Sequence, residues 1–480
     1  MKPLLPIVFG LSLFWVSCDP GELLENQAPE TSFFIDQVDL SEDDRLNTVV
    51  KVAWLGNDPD GYVKGYELSV QEGPWVFTTS TDSVLSLDLD PGSSTTDVLL
   101  KVRAIDNQDL KDDTPAELVL PIRNTPPTIE FDDSPALPDT VRSVFSFTWS
   151  IADLEGLGTI DTVFLRVNDG AWYPLDPLEN FATIVPQDPF LVGTQEGRLL
   201  LGPDAIEAFL PISGLKVGAE NILQLQARDI SGSFSEVDSS REFYLAPQTS
   251  DLLVINSHQQ EAAISFTRTT FESISAGSYD WLNVRDELPS FWEPTFSLFI
   301  QLYDRIYWFD GGQPIASSGE TYLLEQAANS FQNYLNQGRK LMVSTPFNPV
   351  FNEPARQAQS LIFDFSPADS LSSSSGQARI GTGARVFGVG DWGNIDTLRA
   401  GRFLTGVDPF YPKNPSDVLM EAEIIAVSGW IGPSVVAARS RFINNEINQV
   451  FFSIEIHQLN QSPAALEGLF DRVFNREFDW

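Results

Sequence analysis

Over residues 28–123 apolar and polar side chains alternate in short runs separated by turns. Val50, Val52 and Trp54 occupy every second position, which puts all three on one face of a strand. Asp58-Pro59-Asp60-Gly61 follows as a turn, because proline presets φ and glycine accepts φ > 0, and the alternation resumes over residues 62–70. Another alternating run, DVLLKVRAIDNQDLKDD, ends in a polar turn. The pattern restarts after Asn124-Thr125-Pro126-Pro127. Phe145, Phe147 and Trp149 alternate before Asp153 as Val50, Val52 and Trp54 do before Asp58, and ILQLQARDISG mirrors LLKVRAIDNQD. A duplication with a period of about 100 residues implies two copies of one β module. The second copy is longer, and residues 174–211 match the first poorly.

The period changes near Gln248. DLLVINS (251–257), RIYWFDGG (305–312) and KLMVSTP (340–346) are continuous apolar runs, as buried parallel strands show. Between the last two, Ser317 and Glu320 form a capping box. Leu323, Leu324, Ala327, Ala328, Phe331, Tyr334 and Leu335 then follow a 3.6-residue period, and Gly338 ends the helix. Strand, helix, strand in this order predicts a βαβ unit with a right-handed crossover. EIIAVSG, VVAARSR and QVFFSIEIH predict further strands, Pro463 opens a closing amphipathic helix, and the serines of residues 370–375 predict a loop.

The N-terminus has a different pattern. One lysine, Lys2, precedes an apolar run from Leu4 to Val16, and Cys18, the only cysteine, follows after Ser17. The run is shorter than the roughly 20 residues a membrane span needs, and it matches a signal peptide over residues 1–17. Val16-Ser17-Cys18 resembles a bacterial lipobox, although Trp15 stands where leucine is usual. The resemblance implies a lipid on Cys18, and more than one acyl chain is needed for a stable anchor. Asp19, Glu22 and Glu25, in an acidic tether over residues 18–27, resemble the export signals of Bacteroidota surface lipoproteins. The expected location is therefore the cell envelope, as an outer-membrane lipoprotein, surface-exposed or periplasmic.

The chain has 480 residues, room for about three domains. Its 67 acidic side chains against 29 basic ones leave a formal charge of −38. Nucleic acid is excluded as a partner, because its binding rests on neutralising phosphates. The membrane, reached through the lipid anchor, and a protein or glycan at the envelope are the expected partners. With Cys18 acylated and two histidines, His258 and His457, the residue count argues against a conventional zinc site. No cofactor is expected except calcium. Asp58, Asp60, Asp106 and Asp109 are the candidate ligands, with Asp112 and Asp113 nearby; turn formation is the ordinary role of such aspartates.

APETSF, the W-x₃-DPDG-x-V-x-GYE segment and the closing A-x-D strand resemble fibronectin type III-like modules of the immunoglobulin fold. Domains of this kind are expected at 28–123 and 126–247, with Trp54 and Trp149 in their cores. YDRIYWFDGG, a helix and LNQGRKLMVSTP resemble class I glutamine amidotransferase-like domains, which implies an α/β flavodoxin-like three-layer sandwich over 250–480. In that family the nucleophile is a cysteine near the position of Ser344 and Thr345, and the catalytic histidine corresponds to His457. Leu459 stands where the family has an acid. A serine triad of Ser344, His457 and Glu455 is the catalytic alternative, although Glu455 and His457, two apart on a predicted strand, are too far apart for an assured contact. Gly311 and Gly312 can form an anion nest or a tight turn. The expected function is non-catalytic binding or assembly at the envelope, with a serine hydrolase or amidase as one alternative. The other is a carbohydrate-binding accessory protein using Trp292, Trp392 or Trp430.

Overall fold

The computed structural model describes residues 25–35, 46–87, 93, 95–134, 137–274, 278–285, 287, 292–312, 322–347, 360–442 and 445–479. Cys18, the apolar run before it and the capping box of Ser317 and Glu320 lie outside these residues. The chain divides into two compact units. One holds residues 1–127 with the segments 153–159 and 229–234, and the other holds the remainder.

In the first unit a sheet ordered Glu30–Ile35, Val49–Asn57, Asp82–Ser86 accompanies a second one. The second is ordered Leu46–Asn47, Ala116–Arg123, Thr95–Asp106, Val63–Val70, Val76–Thr78. This strand order is that of a fibronectin type III-like immunoglobulin sandwich. The alternation seen in the sequence sets the core: Val50, Val52 and Trp54 from one sheet join Val98, Leu100, Val102 and Ala104 from the other. Trp54 meets Phe33 and Tyr66 edge-on, and its indole N–H donates to the Ser80 carbonyl at 3.0 Å.

The second sandwich repeats the plan with additions. Phe145, Phe147 and Trp149 form a ladder with ring separations of 6.4 and 5.9 Å inside its core. Gly193–Leu201, Ile206–Glu207 and Ile212–Val217 extend the sheet beyond Phe181–Pro186. Gly193–Leu201 and Ile206–Glu207 fall within the stretch that matches the first copy poorly. Val144, Val185 and Leu200 pack into the core of the C-terminal domain, and Ser146 Oγ lies 2.6 Å from Thr295 Oγ1 in a buried contact.

The C-terminal domain is built on one nine-stranded sheet. Asp280–Asn283, Leu252–Asn256, Arg305–Phe309, Lys340–Ser344 and Ile447–Phe452 run parallel in that order. Val435–Arg441, Val418–Ala422, Arg385–Gly388 and Leu398–Arg399 continue the sheet antiparallel. Successive side chains of the parallel strands go to opposite faces. Leu253, Ile255, Ile306 and Trp308 pack with Phe331, Tyr334 and Leu335 of the helix Ala328–Asn336. Leu252, Val254, Tyr307 and Phe309 pack with Phe271 of Glu261–Ile274 and Phe470 of Pro463–Arg472.

Three expectations need correction. The antiparallel half of the sheet departs from the flavodoxin-like plan that the sequence suggested. The helix expected as one piece is interrupted at Ala327, between Leu323–Gln326 and Ala328–Asn336, while Gly338 ends it at φ +81°. The serines expected in a loop begin in a strand, Ala368–Leu371, which pairs with Phe410–Pro412.

Candidate functional site

In open sheets of parallel strands, ligands bind outside the carboxyl ends of the strands. Four such ends place polar residues together here. Ser257 and His258 follow Leu252–Asn256, and Asp310, Gly311 and Gly312 follow Arg305–Phe309. Thr345 and Pro346 follow Lys340–Ser344, and Glu455 and His457 follow Ile447–Phe452.

His258 is buried and held at both ring nitrogens. Nδ1 accepts from the Gln260 amide at 2.9 Å, so the ring proton sits on Nε2, which lies 3.1 Å from Glu455 Oε2. The ring stacks on Phe309 at 6.4 Å. His457 lies on the 3₁₀ turn Ile456–Gln458, because the strand expected to carry it ends at Phe452. That turn corrects the expected separation of Glu455 and His457: His457 Nε2 is 3.5 Å from Glu455 Oε2. The two imidazoles stand edge to face, 5.3 Å apart at 89°. Among the described residues, these three are the one group of His, Cys, Asp and Glu whose ligand atoms converge, all within 4.8 Å of one another.

Burial alone pushes the Glu455 carboxyl up, but the His258 hydrogen bond and the two imidazoles outweigh it and leave it below its usual range. Burial pushes His457 down to about 4, against the pull of Glu455, so the ring is neutral at pH 7. Asp310 is held above its usual range by burial, despite bonds from the Gly312 amide at 2.8 Å and Ser257 Oγ at 3.1 Å. The Gly312 amide therefore turns inward onto Asp310, a tight turn at φ +64°.

Ser344 does not join this group. Its buried hydroxyl donates to the Ile454 carbonyl at 2.9 Å and accepts from the Ile456 amide at 3.2 Å, stapling the strand end to the turn that carries His457. Glu455 is shared by two imidazoles rather than orienting one base toward a serine.

Each calcium candidate takes part in a local bond, while Asp58 Oδ2 is buried without a hydrogen-bond partner. Asp106 Oδ1 accepts from the amides of Gln108 and Leu110 at 2.8 Å, and its Oδ2 accepts from Asn26. Asp109 pairs with Lys64, Asp60 accepts from the Gln27 amide at 3.3 Å, and Asp58 Oδ1 accepts from the Asp60 amide at 3.3 Å. In the second copy, Asn124 donates to Asp229 as Asn26 does to Asp106. Of the tryptophans, Trp392 is fully buried with its N–H on Glu477, and Trp292 packs on Phe296 at 4.8 Å. Trp430 lines a cleft of about 120 Å³ with Ser374, Gln377, Thr405 and Asp408. Burial pushes the Asp408 carboxyl up to about 7.

Sequence reasoning selected Glu455 and His457 and gave His258 little weight. The signal that finds His258 is topological: it stands directly after an apolar run that becomes a parallel strand, where such sheets place their ligands.

The fold thus defines a protein of two fibronectin type III-like sandwiches and a mixed α/β domain. No protein-family profile matches the chain, and no curated protein matches it. Among solved structures it is similar to fibronectin(III)-like modules of CbhA from Clostridium thermocellum. The identity is 12%, over 42% of this chain and 87% of the other, with a TM-score of 0.15. A two-domain fibronectin type III segment of chicken tenascin shares 15% identity over 43% of this chain and 97% of that one, at a TM-score of 0.20. SGBP-B of a mixed-linkage glucan utilization locus of Bacteroides ovatus, in complex with a heptasaccharide, shares 12% over 48% and 51%, at 0.14. The fold assignment stands on the strand order above.

Proposed function

We propose that the chain is a lipid-anchored cell-envelope protein whose C-terminal domain binds a partner at the envelope without serine-dependent catalysis. The observation that carries the non-catalytic part is Ser344. Its hydroxyl is committed to Ile454 and Ile456, whereas a nucleophile needs a base within hydrogen-bond reach and an open approach. The anchor rests on the lipobox-like Val16-Ser17-Cys18, and the amidotransferase-like resemblance is read as one of scaffold only. The test is a screen of the purified protein against ester, amide and glutamine substrates, beside Ser344→Ala and His457→Ala. Turnover lost in both variants would overturn the reading.

A second reading, carbohydrate binding, is favoured by one cleft. Trp430 supplies an aromatic surface beside Asp408, Gln377, Ser374 and Thr405, the mix of one apolar face and a few polar groups that small-molecule sites use. Affinity electrophoresis through gels of mixed-linkage glucan, xylan and mannan tests it. Retardation by one of them that is lost in Trp430→Ala supports it, and unretarded migration in all three counts against it.

A further inference from the structure

Glu455 Oε2 is the meeting point of two imidazole Nε2 atoms, 3.1 Å from that of His258 and 3.5 Å from that of His457. We propose that His258, Glu455 and His457 hold a first-row divalent ion, zinc above others, at the carboxyl edge of the parallel strands. This inference is independent of the binding-protein reading.

The spacing carries the argument. With metal–nitrogen and metal–oxygen bonds of about 2.0–2.1 Å, two ligand atoms at the corners of a tetrahedron stand about 3.3 Å apart. Both separations from Glu455 fall beside that value, and all three ligand atoms lie within 4.8 Å of one another, so the two imidazoles draw together as the ion binds. A hydrogen-bonded His–Glu pair explains the first contact but not the second. At 3.5 Å His457 is too far for a good hydrogen bond, and its ring makes none among the described residues, yet its Nε2 is the atom nearest the same oxygen in that pair. Two imidazoles and one carboxylate are a donor set that suits zinc, and three protein ligands leave a position for water or a ligand oxygen.

The surroundings fit an ion as well. A β-carbon on Gly311 would come 3.0–3.2 Å from Nε2, Cε1 and Cδ2 of His258, so glycine lets the chain pass over the face of that ring without displacing it. The His258 side chain is 3% exposed, while Glu455 and His457 are 16% and 13% exposed, which leaves a route in from one side. Without metal, the His258 Nε2 proton occupies the ion's place. On binding, the ring changes tautomer through water, giving up the Nε2 proton and taking one at Nδ1, so the bonds to Glu455 and to the Gln260 amide both yield: two hydrogen bonds lost against three coordinate bonds formed.

The test uses the purified protein stripped with a chelator and titrated with Zn²⁺ and Co²⁺ in an excess of Ca²⁺, which occupies the acidic surface. One equivalent of Zn²⁺ should bind, and Co²⁺ should give the intense visible bands of a four- or five-coordinate ion. Changes in groups around a metal site already weaken binding by about 10–100-fold, so loss of a ligand in Glu455→Gln or His457→Ala should weaken it by about 100-fold or more. Gly311→Ala, which removes no ligand, should weaken it less. Far-UV circular dichroism confirms that each variant is folded. Absence of a one-equivalent site, or a site of equal affinity in both Glu455→Gln and His457→Ala, would overturn the proposal.

Discussion

His258 and Glu455 stand 197 positions apart in the chain and 3.1 Å apart in space. The first follows the opening strand of the C-terminal domain, and the second follows the strand Ile447–Phe452 near its end. Their contact spans the parallel half of the sheet, from its second strand to its fifth, and gives the domain a polar focus on an otherwise apolar scaffold.

The buried ring of His258 bonds through both nitrogens. His258→Ala removes both bonds and leaves the Gln260 amide and Glu455 to find water, which should lower stability by about 1–3 kcal/mol. Urea unfolding of the metal-free protein measures it, and an unchanged midpoint would mean that neither bond contributes.

Ser344→Ala should behave as a structural change. Loss of the bonds to the Ile454 carbonyl and the Ile456 amide predicts destabilisation of about 1–3 kcal/mol in urea unfolding, and an unchanged midpoint would contradict it.

Asp408 gives a pH-dependent prediction with a definite sign. Its folded pKa is raised to about 7, so the folded state keeps a proton that the unfolded state releases near pH 4. The associated stability is fully present below pH 4 and is lost as pH rises through about 7. Asp408→Asn should therefore stabilise the protein at pH 8, by on the order of 2–4 kcal/mol after allowing for its partial exposure, and change little at pH 4. Thermal melts at the two pH values check this, and equal shifts at both would contradict it.

Cys18→Ala should abolish labelling by a palmitate analogue in growing cells, while the wild type is labelled and partitions with membranes. Equal labelling of both would show that Cys18 does not carry the lipid.

Much of the fold was legible because burial and period coincide. Val50, Val52 and Trp54, and later Phe145, Phe147 and Trp149, alternate in sequence and face their cores in the structure. The runs at 251–257, 305–312 and 340–346 are parallel strands because both faces of the sheet are covered, leaving no polar side to alternate. The site was less legible, since His258 meets Glu455 only after strands distant in sequence have paired. The 3₁₀ turn at Ile456–Gln458 was hidden by the β-rich texture of QVFFSIEIH, where the Ser344 hydroxyl, distant in sequence, takes the Ile456 amide. The same turn brought Glu455 and His457 together when strand geometry would have kept them apart.

The convergence of His258, Glu455 and His457 on one ion is tested most directly by anomalous diffraction at the zinc edge from crystals of the zinc-loaded protein. A single strong peak is expected about 2.0–2.2 Å from Nε2 of His258, Nε2 of His457 and a carboxylate oxygen of Glu455. Zinc peaks confined to the acidic surface, with the His258–Glu455 hydrogen bond intact in the same crystals, would contradict it.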